Sequence, residues 1–212
     1  MRSAASEIVK TAASQAWAGN FKLSSIPFPI RASHGKTELQ MQAKMMASTT
    51  PYYLNAAAAT DDKVERMKFV MAHAISYVFT DHTFQKPIES ELGETVQAYG
   101  QDGAQLFLEM TKTEPPTSHY LFEGPNSNYQ YSGYLEVNAN PGLLSVTVTP
   151  KGFRKVLFHD GHSITFNHHD DNIYNLTYGT MGHQFTGVVE FNDTENDIKG
   201  EMKFGDSSAW SG

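Results

Sequence analysis

The spacing of apolar residues changes once along this chain, and that change constrains the fold more than any other feature. In three segments before residue 80 they recur at helical spacing; beyond Leu92 they alternate. "YQYSGYLEVNA" (129–139) places Tyr129, Tyr131, Leu135 and Val137 on one face and Gln130, Ser132, Glu136 and Asn138 on the other. "LLSVTVTP", "KVLFH", "SITF", "IYNLTY", "HQFTGVVEF" and "DIKGEMKF" continue in the same style. Asp160-Gly161 reads as a two-residue hairpin turn, and "GQDG" (100–103) as another turn. About nine or ten strands at hairpin spacing, with no helical pattern between them, predict a large antiparallel meander, curled or closed into a barrel.

The first part of the chain reads differently. Ile8, Val9, Ala12, Ala16 and Trp17 give residues 3–18 one apolar helical face. Residues 21–33, "FKLSSIPFPIRAS", stay extended because of Pro27 and Pro29, and Leu23, Ile26, Phe28 and Ile30 make them strongly apolar. A second helix starts at Thr37, where Thr37 and Gln40 fit a capping box, and carries Leu39, Met41, Met45 and Met46. A third begins near Asp61-Asp62, whose charges suit a helix N-terminus. Val64, Met67, Met71, Ala74, Ile75 and Val78 form its stripe, and it ends before Lys86-Pro87. We read one domain overall: residues 1–33 as an N-terminal helix and apolar lid segment, and 34–212 as helices followed by the barrel.

Composition excludes several function classes. Hydrophobic residues make up 40% of the 212, with 13 Phe and 10 Tyr, enough for a core. A net charge of −7 argues against nucleic acid as a partner. With no cysteine there is no disulfide, thiolate nucleophile or cysteine-bound metal, which fits a cytoplasmic location. No apolar run reaches the ~20 residues that span a bilayer. The Ala- and Ser-rich start with Arg2 and Lys10 leaves a mitochondrial presequence open, and Glu7 counts against it.

Chemistry-bearing clusters are few. His168, His169, Asp170 and Asp171 carry metal-ligand atoms, but neighbours on a strand face opposite ways and Asp and Asn favour turns. A solvated turn is the expectation there, with no metal. His73 lies near the apolar stripe of the third helix and reads as a core or edge histidine. Asp81 and His82 lack a serine in a nucleophile elbow. Glu89, Glu91 and Glu94 alone do not make a glycosidase pair. No catalytic residue and no cofactor are assigned.

"KPIESELGET" (86–95) resembles the Lys-Pro…Leu-Gly-Glu signature of the oxysterol-binding protein-related family of lipid-transfer proteins. "LSSIPFPI" resembles its segment between lid and barrel, and "ERMKFVMAHAISYVF" the helix before the signature. "EMTKTEPPTSHYLFEG" lies where the family has EQVSHHPP, and "YNLTYGTMGHQFTGVVEFND" is similar to a later hairpin.

The resemblance implies a mainly β fold with N-terminal helices, an oxysterol-binding-protein-like antiparallel β-barrel around a lipid tunnel closed by an N-terminal lid. It implies non-enzymatic binding of a sterol or other hydrophobic lipid, transfer between membranes, and transient contact with a membrane surface. Leu23, Ile26, Phe28 and Ile30 of the flap and Leu135 and Val137 of the barrel are the expected lipid-binding residues. Lys86 matches the lysine that meets a phosphoinositide headgroup, and a lysine on a proline-fixed turn suits that role. Thr113-Glu114 stand where the family has its histidine pair, and Glu89 where it has an asparagine, so exchange for phosphatidylinositol 4-phosphate is not expected. The family domain continues beyond Gly212, so the resemblance implies a barrel that is incomplete here, its edge covered by a further C-terminal segment of the same protein or, as the favoured expectation, by a second copy or a partner chain. The alternative is a structural subunit that keeps the scaffold without exchange.

Overall fold

The structure is a computed structural model that describes residues 33–77, 85–142, 145–175, 180 and 182–205. The expected helix at 3–18, the flap residues Leu23, Ile26, Phe28 and Ile30, and the Asp81-His82 pair lie outside the described residues.

The element order is β1 (Ser33–Thr37), α1 (Glu38–Ala59), α2 (Lys63–Ser76), β2 (Lys86–Ile88), β3 (Thr95–Tyr99), β4 (Gln105–Thr113), β5 (Pro116–Glu123) and β6 (Tyr129–Pro141). Then follow β7 (Ser145–Lys151), β8 (Arg154–Phe158), β9 (Ser163–Phe166), β10 (Asp170–Tyr174), β11 (Gly182–Thr186), β12 (Val188–Asp193) and β13 (Ile198–Lys203). Eleven strands, β3 to β13, form one antiparallel sheet. Among the described residues β3 and β13 do not meet, so the barrel stays open. The long β6 is the branch point. One edge pairs with β5; the other pairs with β8 over Tyr129–Gly133 and with β7 over Glu136–Pro141.

α1 starts where its sequence says it should. Thr37 is the N-cap, its hydroxyl accepts from Gln40 N, and the Gln40 side chain accepts from Thr37 N. Leu39, Ala43, Met46, Thr50 and Leu54 follow at helical spacing and are buried. α2 is capped by Asp62, which accepts from Val64 N and Glu65 N. Its buried stripe differs in part from the expected one: Met67 and Ala74 are buried as expected, but Arg66, Val70 and His73 join them, while Val64 (52% exposed) and Ile75 (37%) face out. The Arg66 guanidinium explains the rotation. It is fully enclosed, donates to Ala57 O, Thr60 O and Asp160 Oδ2, and lies 4.6 Å from the Phe158 ring centroid.

Two further expectations are corrected. The Asp160-Gly161 turn is a three-residue loop, not a two-residue one. Phe158 N donates to His162 O, Gly161 N donates to Phe158 O, and Gly161 takes a φ of +86°. "HQFTGVVEF" is two strands, not one. Gly187, with a φ of +89°, breaks the run, so β11 pairs with β10 and β12 with β9 and β13.

The core lies between the helix pair and the sheet. It holds an aromatic row in which Tyr131 stacks on Phe166 and Phe166 on Phe191. His73 meets Tyr131 and Tyr77 edge-on, and its Nε2 lies 3.4 Å from the Tyr77 hydroxyl. Burial and the nearby Arg154 lower its pKa to about 3.

Candidate functional site

A turn with an unusual backbone need anchors the site. Glu94 N donates to Glu91 O, and Gly93 between them takes a φ of +80°. The turn feeds β3 and is tied to the start of α1: Thr37 Oγ1 donates to Glu94 Oε1 at 2.6 Å, and Leu39 N donates to Ser90 Oγ at 3.1 Å. β1 and β2 pair in parallel beside it, with Ser33 opposite Lys86 and Thr37 opposite Ile88. Lys86-Pro87 is therefore part of a short strand as well as a break after the helical region.

A cavity of about 820 Å³ opens between this unit and the sheet. Met41 and Met45 of α1, Met110 of β4, and Leu135 and Val137 of β6 form its apolar wall. Pro87 and Pro116 complete it. Of the six α1 residues on the lining, Met41, Lys44, Met45 and Ser48 occupy one helical face, distinct from the buried stripe through Leu39, Ala43 and Met46. Inside, Ser118 Oγ donates to Gln42 Oε1 at 2.8 Å and joins α1 to β5. His34, Lys36, Lys44, Glu38 and Gln85 supply the polar part of the lining. A second hollow of about 590 Å³ lies over β3 to β6, where Phe107, Leu121, Tyr134 and Phe153 contribute. It reaches the 86–95 signature only at Thr95.

The structure brings Leu135 and Val137 together on the cavity wall. Tyr129 and Tyr131 share their strand face but are packed into the core. Lys86 sits between two residues of the lining, Gln85 and Pro87, yet its Nζ lies 2.7 Å from Glu89 Oε1. Burial raises the pKa of Glu38, the Glu89 carboxylate adds to the rise, and Lys86 opposes it. Thr113 and Glu114 occupy the β4–β5 hairpin, whose next residue but one, Pro116, touches the cavity.

The His168–Asp171 stretch does not converge on one point. His168 lies against Tyr134 O at 3.1 Å, and burial together with Arg154 lowers its pKa to about 3. Asp170 and Asp171 belong to β10 and not to a turn, and Asp171 Oδ1 lies 3.4 Å from His183 Nδ1. Among the described residues no group of three or more His, Asp or Glu side chains could hold a metal ion. Reading the sequence for motifs missed His34, Lys36 and Lys44 on the cavity lining. The i, i+3, i+4, i+7 spacing of Met41, Lys44, Met45 and Ser48 was the available signal.

Comparison with known proteins places these features in a family. The family profile described as oxysterol-binding protein matches residues 18–212. Oxysterol-binding protein 9 of Dictyostelium discoideum is 32% identical over 183 residues, 86% of this chain and 42% of that protein. Human oxysterol-binding protein-related protein 1 is 28% identical over 172 residues, 80% of this chain and 18% of that protein. The chain thus spans less than half the length of these relatives. Among solved structures, the Osh3 ORD of Saccharomyces cerevisiae in complex with PI(4)P superposes with a TM-score of 0.79 at 21% identity, covering 94% of this chain and 53% of that one. The Osh1 ORD domain, solved with ergosterol and with cholesterol, gives 0.73 at 21% identity, over 81% of this chain and 42% of that one. These likenesses show a shared fold.

Proposed function

The chain belongs to the oxysterol-binding protein family, and from that premise we propose that it binds a hydrophobic, sterol-like lipid in the cavity between α1 and β6. It does so without enzymatic chemistry and carries the lipid between membranes through transient surface contact. The observation that carries this reading is the apolar wall of Met41, Met45, Met110, Leu135 and Val137 beside the signature turn. Ergosterol and cholesterol in the Osh1 complexes support it.

Exchange for phosphatidylinositol 4-phosphate does not belong to this reading. Lys86 is already paired with Glu89, and Glu114 brings a negative charge where a phosphate would need a positive one. A Val137→Asp change places an unpaired carboxylate on the apolar wall. Titration with a fluorescent sterol should show binding weakened by about tenfold or more; unchanged affinity would reject the cavity as the site. The unmodified protein should show no headgroup-specific binding to liposomes containing the phosphoinositide.

A second reading, a subunit that keeps the scaffold without exchange, has one observation in its favour. Among the described residues β3, β11 and β13 end the branches of the sheet, and an open strand edge is a template for another chain. Light scattering distinguishes the two: a monodisperse monomer that binds sterol leaves no need for the second.

A further inference from the structure

Strand alternation gives the β3–β6 sheet two faces, and the one turned away from the lipid cavity is not polar. Met110, Ser118 and Leu135 line that cavity. Their chain neighbours Glu109, His119 and Tyr134 point to the opposite side, where the hollow of about 590 Å³ lies. Phe107 and Leu121, directly opposite each other in the β4–β5 ladder, line it too, and so does Phe153 at 50% exposure. Phe107, Leu121, Tyr134 and Phe153 take no part in the core. A contiguous apolar hollow on the outer face of a sheet marks a place where something binds.

The rings and the charge on this lining agree on what it attracts. Tyr134 meets Phe153 at 85° with centroids 5.5 Å apart, and His119 stacks on Tyr134 at 22° and 5.4 Å. Thr111 Oγ1, 2.8 Å from His119 Nδ1, fixes that imidazole. Two rings at a right angle make a corner walled by electron-rich π faces, which draw a cation. Glu109 is the one carboxylate on the lining, and no lysine or arginine lines the hollow. The ladders put Glu109 beside His119 and His119 beside Tyr134, so Glu109 and Tyr134 stand two strand spacings apart, about 10 Å. Arg154, next to Phe153 in the chain, is turned inward: it donates to Asn167 O and lies over the Phe166 ring.

We infer that this hollow is a second binding site, for a free organic ammonium ion whose nitrogen rests in the Tyr134–Phe153 corner, with its charge balanced by Glu109 across the His119 ring and its apolar body over Phe107 and Leu121. The volume suits a small organic molecule and is far larger than a bare inorganic cation needs. A phosphocholine headgroup matches less well, because its phosphate would lie near Glu109 with no basic side chain on the lining to meet it. The site lies on the other face of the sheet from the lipid cavity and does not depend on what that cavity holds.

Isothermal titration of the full chain compares benzyltrimethylammonium, benzyl alcohol and benzenesulfonate, which share a phenyl body and differ in charge. The buffer is held at about pH 8, where imidazole side chains are ordinarily neutral. The cation should bind about tenfold tighter than the alcohol, the scale of one cation–π contact with one exposed charge pair, and the sulfonate should bind weakest. Glu109→Gln and Phe153→Leu should each shrink the cation-to-alcohol ratio by about threefold. Glu190→Gln, which removes an exposed carboxylate on β12, should leave it unchanged. Fluorescent-sterol binding should be the same in all three variants, so the two sites are read separately. Equal binding of the cation and the alcohol, or a preference that survives both Glu109→Gln and Phe153→Leu, overturns the inference whatever the sterol titration gives. Displacement of the bound cation by phosphatidylcholine vesicles would overturn the assignment to a free ion.

Discussion

Removing the Asp160 carboxylate should loosen the helix pair from the sheet that carries the site. Asp160 Oδ2 accepts from Arg66 Nη1 at 2.6 Å and from Lys63 Nζ at 3.2 Å. The two partners differ in exposure: the Arg66 side chain is 1% exposed and that of Lys63 is 29%. Lys63 can return to water when its anion is lost, and contributes under about 1 kcal/mol. Arg66 cannot. In Asp160→Ala it keeps its bonds to Ala57 O and Thr60 O but remains an enclosed cation without a counter-charge. Breaking such a pair from one side costs about 3 kcal/mol, which in a chain of this size lowers the melting midpoint by roughly 6–12 °C.

The pH dependence provides a second readout. Partial burial works against the Asp160 carboxylate, but hydrogen bonds from Arg66, His162 and Lys63 hold its pKa well below the usual value. A depressed carboxylate stabilises the fold above its unfolded pKa, near 4, and that stability is lost as pH falls through the folded value. Unfolding curves between about pH 5 and 3 should therefore slope less in Asp160→Ala than in the unmodified protein. In Arg66→Met/Asp160→Ala, removing both charges should recover part of the loss. A single variant within about 1 kcal/mol of the unmodified protein would refute the reasoning, because Arg66 would then be satisfied without Asp160.

Gly187→Val should cost about 1–3 kcal/mol, since a β-branched residue is strained at a φ of +89°; chemical denaturation with an unchanged midpoint would show that the β11–β12 break does not depend on glycine. His73 has a depressed pKa, so the unfolded chain takes up a proton below about pH 6.5 that the native core rejects. Its contribution to instability grows by about 1.4 kcal/mol per pH unit as pH falls from 6.5 toward 3. A His73→Leu variant should flatten the melting profile between about pH 6.5 and 5; an unaltered slope would mean that other groups carry the effect.

Local signals in the sequence determined the points where elements start and the spacing that defines their kind. The Thr37–Gln40 capping box, the Asp62 cap and the alternation through β6 are read from neighbours within a few residues, and the structure contains all three. The Lys86-to-Glu94 signature was legible as a motif too, and so was the family it points to. Partners distant in sequence decided the rest. The parallel pairing of β1 with β2 joins Ser33 to Lys86, and no local pattern in either segment requires it. Apolar spacing assigned Val64 and Ile75 to the inner face of α2, but the Asp160 turn and the Phe158 ring made the Arg66 side the buried one. Alternation placed Tyr129, Tyr131, Leu135 and Val137 on one face of β6. It could not say that the helix pair fills the space above the tyrosines while α1 leaves a hollow above Leu135 and Val137. A residue's parity along a strand is a local property; whether its face is packed or left open depends on what the remote chain brings against it.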